Sequence, residues 1–248
     1  MIEKILRYFY TVKYLKCRQI RYRIYYYVRN RYRKITGFNY TVHVDKKSAG
    51  LHLEDSIQYN QSLDGNTFTF LNLSKTFSGA IDWNFTQYGK LWLYNINYFD
   101  YILQKDIDAG RGLKLVFDFI GAIKINKIGL EPFPISLRCI NWIKFLTKHG
   151  IKDKDIDAAL YAQYIILLDN LECHLLGNHL LENAFSLLFG AYYFNDCFLY
   201  EKAKNILLKE LNEQVLNDGG HFELSPMYHQ LILSKVLDCV NVIKNNAF

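Results

Sequence analysis

The sequence GNHLLENA at residues 177–184 places amide and titratable side chains directly before an apolar helical pattern. A second stretch, DGGHFELSPMYH at residues 218–229, has the same arrangement and also leads into an apolar helical pattern. Each polar cluster is therefore predicted at a helix N-terminus, where free backbone N–H groups and the helix dipole favour anions. Two such clusters predict one shared polar site at one end of a helical bundle.

The apolar spacing from Leu91 onward predicts an all-α fold. Seven helices are expected, over residues 91–104, 109–125, 134–148, 153–172, 179–194, 197–215 and 227–244. Their connections are short and contain Gly, Pro, Asn or Asp. Neighbouring helices are therefore predicted to form antiparallel helical hairpins.

The N-terminal residues 1–36 are strongly basic, with Glu3 as their single acidic residue. Without proline or glycine before Gly37, they predict one long basic, Tyr-rich helical arm over residues 3–35. Three interpretations fit: an arm packed on the helical body, a helix on an anionic membrane surface or partner, or a polyanion binder. No base-reading motif is present, so nucleic acid is not an expected partner.

Residues 37–80 are polar and irregular, and they predict a linker followed by an extended lead-in. Within them, residues 67–73 alternate weakly and predict one short strand. The expected organisation is therefore an arm (1–36), a lead-in (37–80) and a helical domain (81–248).

The five cysteines are scattered and form no CxxC pair, which predicts reduced thiols rather than disulfides or a cysteine metal site. The first residues lack a signal-peptide pattern, and no run of eighteen apolar residues exists. The expected location is cytoplasmic or peripheral to the inner membrane.

Five motifs carry a resemblance to a known family. They are GNHLLENA, DGGHFELSPMYH, IDWN at residues 81–84, GKLWLYN at residues 89–95 and EPFPISLR at residues 131–138. Between about Phe70 and about Val242 the chain resembles the helical domain of the heparinase II/III and alginate lyase group of polysaccharide lyases. The resemblance implies an incomplete α/α toroid and β-elimination of a uronic-acid-containing polysaccharide, heparan-like or alginate-like, without a cofactor.

Members of that group often act in the periplasm or outside the cell, and they usually continue into a β-sandwich domain. No β-rich region follows the predicted helices here. The alternative expectation is therefore a truncated or catalytically impaired relative. Such a protein would bind an anionic polysaccharide or take part in surface-polysaccharide production.

A uronate lyase removes the C5 proton of the sugar and expels the oxygen on C4, so it needs a base, an acid and donors that neutralise the carboxylate. Matching the family's motifs assigns neutralisation to Asn178, whose amide donates two hydrogen bonds. His179 is assigned as a base or second carboxylate contact, and Tyr228 as acid or acid/base. The structural alternatives are a helix cap for Asn178 and packing roles for His179 and Tyr228.

The remaining site candidates are substrate contacts, each with a structural alternative such as an ion pair, a helix-start hydrogen bond or core packing. They are Arg138, His229, His221, Glu182, Trp92, Tyr94 and Asn95. Arginine pairs bidentately with carboxylate or sulfate groups, and aromatic rings stack on sugars. The histidines lack HExxH spacing, so no metal is expected.

Overall fold

A computed structural model of the chain describes residues 10, 13–54, 61–123 and 129–248. Eight α-helices and one small sheet form the described part. The helices are α1 (Cys17–Thr36), α2 (Lys90–Tyr98), α3 (Ala109–Ile123), α4 (Pro132–Lys148), α5 (Lys154–Asp169), α6 (Gly177–Phe194), α7 (Cys197–Gln214) and α8 (Pro226–Asn245). The all-α class is thereby confirmed, while closure of the helices into an α/α toroid stays a prediction.

Helix α6 is the centre of the fold. Every side chain from Leu180 to Phe194 is buried, and the helix packs against α4, α5, α7 and α8. A helix that is apolar on all sides is stable only when other elements surround it. The two residues Asn195 and Asp196 connect α6 to α7 as a helical hairpin, and Asp196 caps α7 by accepting the N–H groups of Phe198 and Leu199.

The lead-in contains an antiparallel sheet of three strands, β1 (Leu63–Asp64), β2 (Thr67–Phe70) and β3 (Leu73–Thr76), in that order. The predicted single strand over 67–73 is therefore wrong, because the chain reverses at Leu71 and Asn72. Both have positive φ values, 53° and 60°, as a tight two-residue hairpin turn requires. The rings of β2 pack on the helical body, with Phe70 5.3 Å from Trp92.

Helix α1 is shorter than the predicted helix over residues 3–35. Residues 14–16 are not helical, and Lys16 is extended where it precedes Cys17. The Gln19 side chain accepts the Lys16 N–H at 2.9 Å, and Lys16 pairs with Glu213 of α7, which fixes this helix start. The parts of that prediction on residues 3–9, 11 and 12 lie outside the described residues.

One carboxylate, Asp169 at the end of α5, holds both α1 and the start of the lead-in. It accepts hydrogen bonds from Arg29 at 3.1 Å, from Arg33 at 2.5 Å and from the Tyr40 hydroxyl. Although burial acts in the opposite direction, the hydrogen bonds from Arg33 and Tyr40 hold the pKa of Asp169 below its ordinary value. The basic arm is thus packed on the helical body through the inward side of α1.

Residues 38–54 run along the body without helix or strand. The Val44 N–H donates to the Ala158 carbonyl at 3.1 Å and the Ala49 N–H to the Tyr193 carbonyl at 2.8 Å. Further along, the Asn241 side chain exchanges two hydrogen bonds with the backbone of Glu54. These bonds connect the lead-in to α5, α6 and α8. No helix of the described part is both long and apolar enough to cross a bilayer.

Two predicted helices end earlier in the structure. The helix expected over 91–104 stops at Tyr98, and a 3₁₀ helix follows over Asp100–Leu103. Phe99 between them has a φ of 61° and is fully buried, with its ring stacked 5.1 Å from Trp83. Aromatic packing thus overrides the local helical preference. The helix expected over 153–172 ends at Asp169, whose carboxylate pairs with Arg29 and Arg33 of α1.

Candidate functional site

The start of α6 has an unusual backbone conformation. Leu176, directly before the helix, has φ 62° and ψ −158°, a region that is populated almost only by glycine, and Gly177 follows with φ 60°. Helix α6 begins at Gly177, so Asn178 lies inside the first turn and does not cap it. The half-buried Asn178 amide has no hydrogen bond to a described side chain or backbone group, which leaves it available to a ligand.

His179 is held by Glu172, a residue of the loop before α6. Its Nδ1 lies 3.0 Å from Glu172 Oε1. The buried Asn183, one helical turn after His179, donates to Glu172 Oε2 at 3.0 Å and accepts the Glu172 N–H at 2.8 Å. Asn183 also donates to Ser136 of α4 at 3.1 Å. Glu172 is therefore fixed in position, and it orients the imidazole.

The hydrogen bond to Glu172 raises the pKa of His179 above its ordinary value, although burial opposes the shift. The His179 side chain remains 41% exposed, and no described residue hydrogen-bonds its Nε2. A histidine with one nitrogen on a carboxylate and the other free is suited to exchange a proton or to donate to an anion.

Replacing Glu172 with glutamine is expected to lower the pKa of His179, because the bond that favours the imidazolium is lost. The raised pKa means that the folded state favours the imidazolium. The His179–Glu172 pair therefore adds its full share to the free energy of unfolding below about pH 6.5, and this share is lost as the pH rises through the folded pKa. The variant should therefore lose more unfolding free energy at low than at high pH. Ring-proton NMR titration and urea unfolding measure both effects.

The matched control for that experiment is Glu201→Gln, at an exposed glutamate of α7. It removes the same charge and leaves Glu172 in place. A titration of His179 that is identical in both variants and in the unchanged protein would contradict the assignment of Glu172 as the partner that sets the pKa.

Four partly exposed rings form a row that ends at His179. Tyr94 lies 6.3 Å from Tyr98, Tyr98 lies 6.0 Å from Phe133, and Phe133 lies 4.9 Å from His179, measured between ring centroids. The rings come from α2, α4 and α6. Burial raises the pKa of Tyr98, and the charges of Glu182 and Glu172 add to that shift. The row, called here the aromatic row, thus leads directly to the carboxylates around His179.

Tyr228 lies in the first turn of α8, and two ion pairs hold that helix in place. Lys144 of α4 pairs with Asp238 at 2.5 Å, and Lys235 pairs with Glu182 of α6 at 3.2 Å. The half-buried Tyr228 ring lies 6.4 Å from the ring of His221. Ion pairs between largely buried groups fix geometry well, because breaking one leaves a desolvated charge.

Glu223 affects the pKa of one histidine in each of the two polar stretches. Its charge adds to the raised pKa of His179, behind the larger effect of the bond to Glu172. Burial lowers the pKa of His221, and Glu223 opposes that shift. Glu223 thus favours the protonated form of both histidines.

Four predicted substrate contacts lie in the protein interior: Arg138, Trp92, His221 and Glu182. Arg138 is fully buried and donates to Gln163 Oε1, the Asn97 carbonyl and the Gly129 carbonyl at 2.7, 3.0 and 2.9 Å. Burial lowers the pKa of its guanidinium to about 10. Trp92 is also fully buried, and its indole N–H donates to the Leu73 carbonyl. These two side chains support the fold and do not reach a ligand.

The third is His221, which is 3% exposed, with its Nε2 3.3 Å from Gln214 Oε1. Glu182 is likewise buried and paired with Lys235. Tyr94 and Asn95 are partly exposed on α2, and His229 is exposed on α8. The Asn95 amide donates to the Leu91 carbonyl within its own helix. Tyr94, Asn95 and His229 are thus the accessible members of the predicted contacts.

Sequence reasoning missed Glu172, Asn183 and Phe133. Asn183 stands in the same stretch as His179 at helical spacing i, i+4, which would have placed both on one face of α6. Phe133 stands within the motif EPFPISLR. Glu172 had no signal, because its role depends on a loop that returns its carboxylate to the helix start.

The residues around both clusters match a known family. Residues 140–248 match the family model described as Heparinase II/III N-terminus. This range contains Glu172, Asn178, His179 and Tyr228, together with most of α4 and all of α5 to α8. The resemblance to the heparinase II/III group is thereby confirmed over residues 140–248. The alginate part of the resemblance stays a prediction.

A curated relative supports the same group. The chain is 37% identical over 70 residues to a heparin-sulfate lyase of Bacteroides stercoris. That match covers 27% of this chain and 10% of the lyase, so it spans about a tenth of the relative's length. No solved structure is significantly similar to this chain.

Proposed function

We propose that this chain binds a uronic-acid-containing polysaccharide along the aromatic row and presents His179, Asn178 and Tyr228 for β-elimination. The observation that carries the proposal is the His179–Glu172 pair, because no described residue bonds to the imidazole Nε2 at the end of a row of partly exposed rings. The relation to heparinase II/III lyases supplies the reaction class, which the geometry alone does not define.

The free Asn178 amide and the His179 imidazolium are donors for the substrate carboxylate. Removal of the C5 proton places negative charge on that carboxylate, so donors directed at it stabilise the transition state. The electron pair of the C5–H bond forms the C4–C5 double bond, and the C4–O bond breaks. Tyr228, acting first as base and then as acid, takes the C5 proton and returns it to the departing oxygen. The raised pKa of His179 favours the imidazolium that this arrangement uses.

The aromatic row provides the binding surface. Sugar rings carry C–H faces that pack on aromatic side chains, and the hydroxyl groups of Tyr94 and Tyr98 add hydrogen-bonding partners. Lys90, whose ammonium lies 4.9 Å over the Tyr94 ring, adds a cation beside the row for an anionic sugar. This surface also favours a second candidate function, polysaccharide binding without catalysis.

The test is ultraviolet absorbance of the new C4–C5 double bond. The protein is incubated with heparan-type, chondroitin-type, hyaluronan and alginate polymers, beside the variant Tyr228→Phe. We expect a product with at least one polymer, and a loss of about 10²-fold in rate in the variant with binding retained, because only the proton transfer is removed.

Binding of each polymer by calorimetry separates the alternatives. Binding without product from any polymer would replace the lyase assignment with the binding function, and Tyr94→Ala should then weaken binding. Neither binding nor product with any of the polymers would refute both functions. Equal rates for Tyr228→Phe and the unchanged protein would remove Tyr228 from the reaction.

A further inference from the structure

Helix α1 has two different faces. Its inward face consists of the partly buried residues Arg18, Gln19, Tyr22, Tyr26, Arg29 and Arg33. These contact the body, as when the Tyr26 hydroxyl donates to the Leu171 carbonyl at 2.6 Å. The opposite face, one half-turn away, carries Ile24, Tyr27, Val28 and Ile35, which are 61%, 61%, 59% and 84% exposed. We call these four residues the outer stripe.

The basic residues of α1 divide in the same way. The inward arginines have acidic partners, with Arg18 3.7 Å from Glu210 and Arg29 and Arg33 on Asp169. The outward ones are exposed, and no described acidic residue lies within ion-pair distance of them. They are Arg21, Arg23, Arg31 and Lys34. Helix α1 itself contains no Asp or Glu.

Cations therefore flank an exposed apolar stripe on both sides. Arg23 and Lys34 lie along one edge and Arg21 along the other, while Arg31 packs on Tyr27 within the stripe, 5.3 Å from its ring. Because the opposite face is held on the body, the stripe points away from the protein as a fixed surface. We propose that this face of α1 lies on an anionic lipid surface.

The chemistry favours a lipid surface over other anions. A helix in the membrane interface places aliphatic side chains at the acyl boundary, while arginine and lysine reach back to the headgroups and tyrosine lies between. Acidic headgroups attract such basic segments. A soluble polyanion such as nucleic acid would use the cations but gain nothing from exposed isoleucine and valine. The outer stripe thus selects the lipid.

The test is sedimentation with vesicles of phosphatidylcholine, alone or with phosphatidylglycerol. We expect binding to the anionic vesicles, weakened by salt. The triple variant Arg23→Gln, Arg31→Gln, Lys34→Gln should bind these vesicles at least about tenfold more weakly. Its matched control is Lys148→Gln, Lys152→Gln, Lys154→Gln, three exposed lysines elsewhere with the same charge change, and it should bind as the unchanged protein.

A second variant, Ile24→Ser with Val28→Ser, separates lipid from other polyanions. It should weaken vesicle binding and leave binding to soluble heparin unchanged. Circular dichroism confirms that each variant is folded. Equal sedimentation of the two triple variants, no sedimentation with anionic vesicles, or no effect of the serine variant would each overturn the proposal.

Discussion

Replacing His179 with glutamine is expected to lower the rate of elimination by about 10²–10³-fold, because a donor to the charge that develops on the substrate carboxylate is lost. The imidazole lies at the end of the aromatic row, its pKa is raised, and no described residue hydrogen-bonds its Nε2. Glutamine keeps a similar volume and can still accept or donate one hydrogen bond to Glu172, so the fold and polysaccharide binding should be retained. The initial rate of double-bond formation measures the effect on any polymer that yields product.

The control is His43→Gln, at a half-exposed histidine of the lead-in that pairs only with the exposed Asp45 among the described acids. It should react as the unchanged protein. The pH dependence of the elimination rate gives a further check. Glu172→Gln should move the inflection that reports the titration of His179 to lower pH. A His179→Gln variant with an undiminished rate would show that another group performs the reaction.

Replacing Arg138 with methionine is expected to lower the free energy of unfolding by roughly 3–5 kcal/mol. The guanidinium bonds to Gln163 Oε1 and to the carbonyls of Asn97 and Gly129, and methionine leaves these buried acceptors without a donor. The loss of a desolvated charge offsets part of that cost. Urea unfolding measures the difference.

Two further substitutions make the result specific. Arg138→Lys should also destabilise, because an ammonium does not reproduce the planar fork that reaches three acceptors. Arg23→Met, at an exposed arginine of α1, should change the free energy by less than about 0.5 kcal/mol. An Arg138→Met protein as stable as the original would show that these acceptors find other donors.

Helix positions were largely predictable, because apolar spacing is a local property of the chain. The starts of α3 and α7, for example, fall at the predicted residues 109 and 197. The errors arose where contacts with residues distant in sequence determine where a helix begins or ends. Phe99 ends α2 because its ring stacks on Trp83, and Lys16 stays extended because it pairs with Glu213. Neither partner is visible from local sequence.

The start of α6 was predictable from the sequence, whereas the burial and the partners of the surrounding side chains were not. The motif around Asn178 and His179 identified the start of α6, and the structure leaves both side chains partly exposed there. Arg138 and Trp92 were predicted as substrate contacts, but the structure buries both side chains. A motif gives no information on which side of a helix faces the core. Glu172 was missed because a carboxylate that follows α5 becomes a partner of His179 only through the loop.

The carboxylate of Asp169 has a consequence for how this sequence tolerates change. Arg29, Arg33 and Tyr40 all depend on it, so substitutions at these three positions act on one shared partner and their effects should not add. Loss of Asp169 removes all three bonds at once, whereas loss of one donor leaves two. The arm and the lead-in are therefore coupled by epistasis, and the tolerance of one segment depends on the residues present in the other.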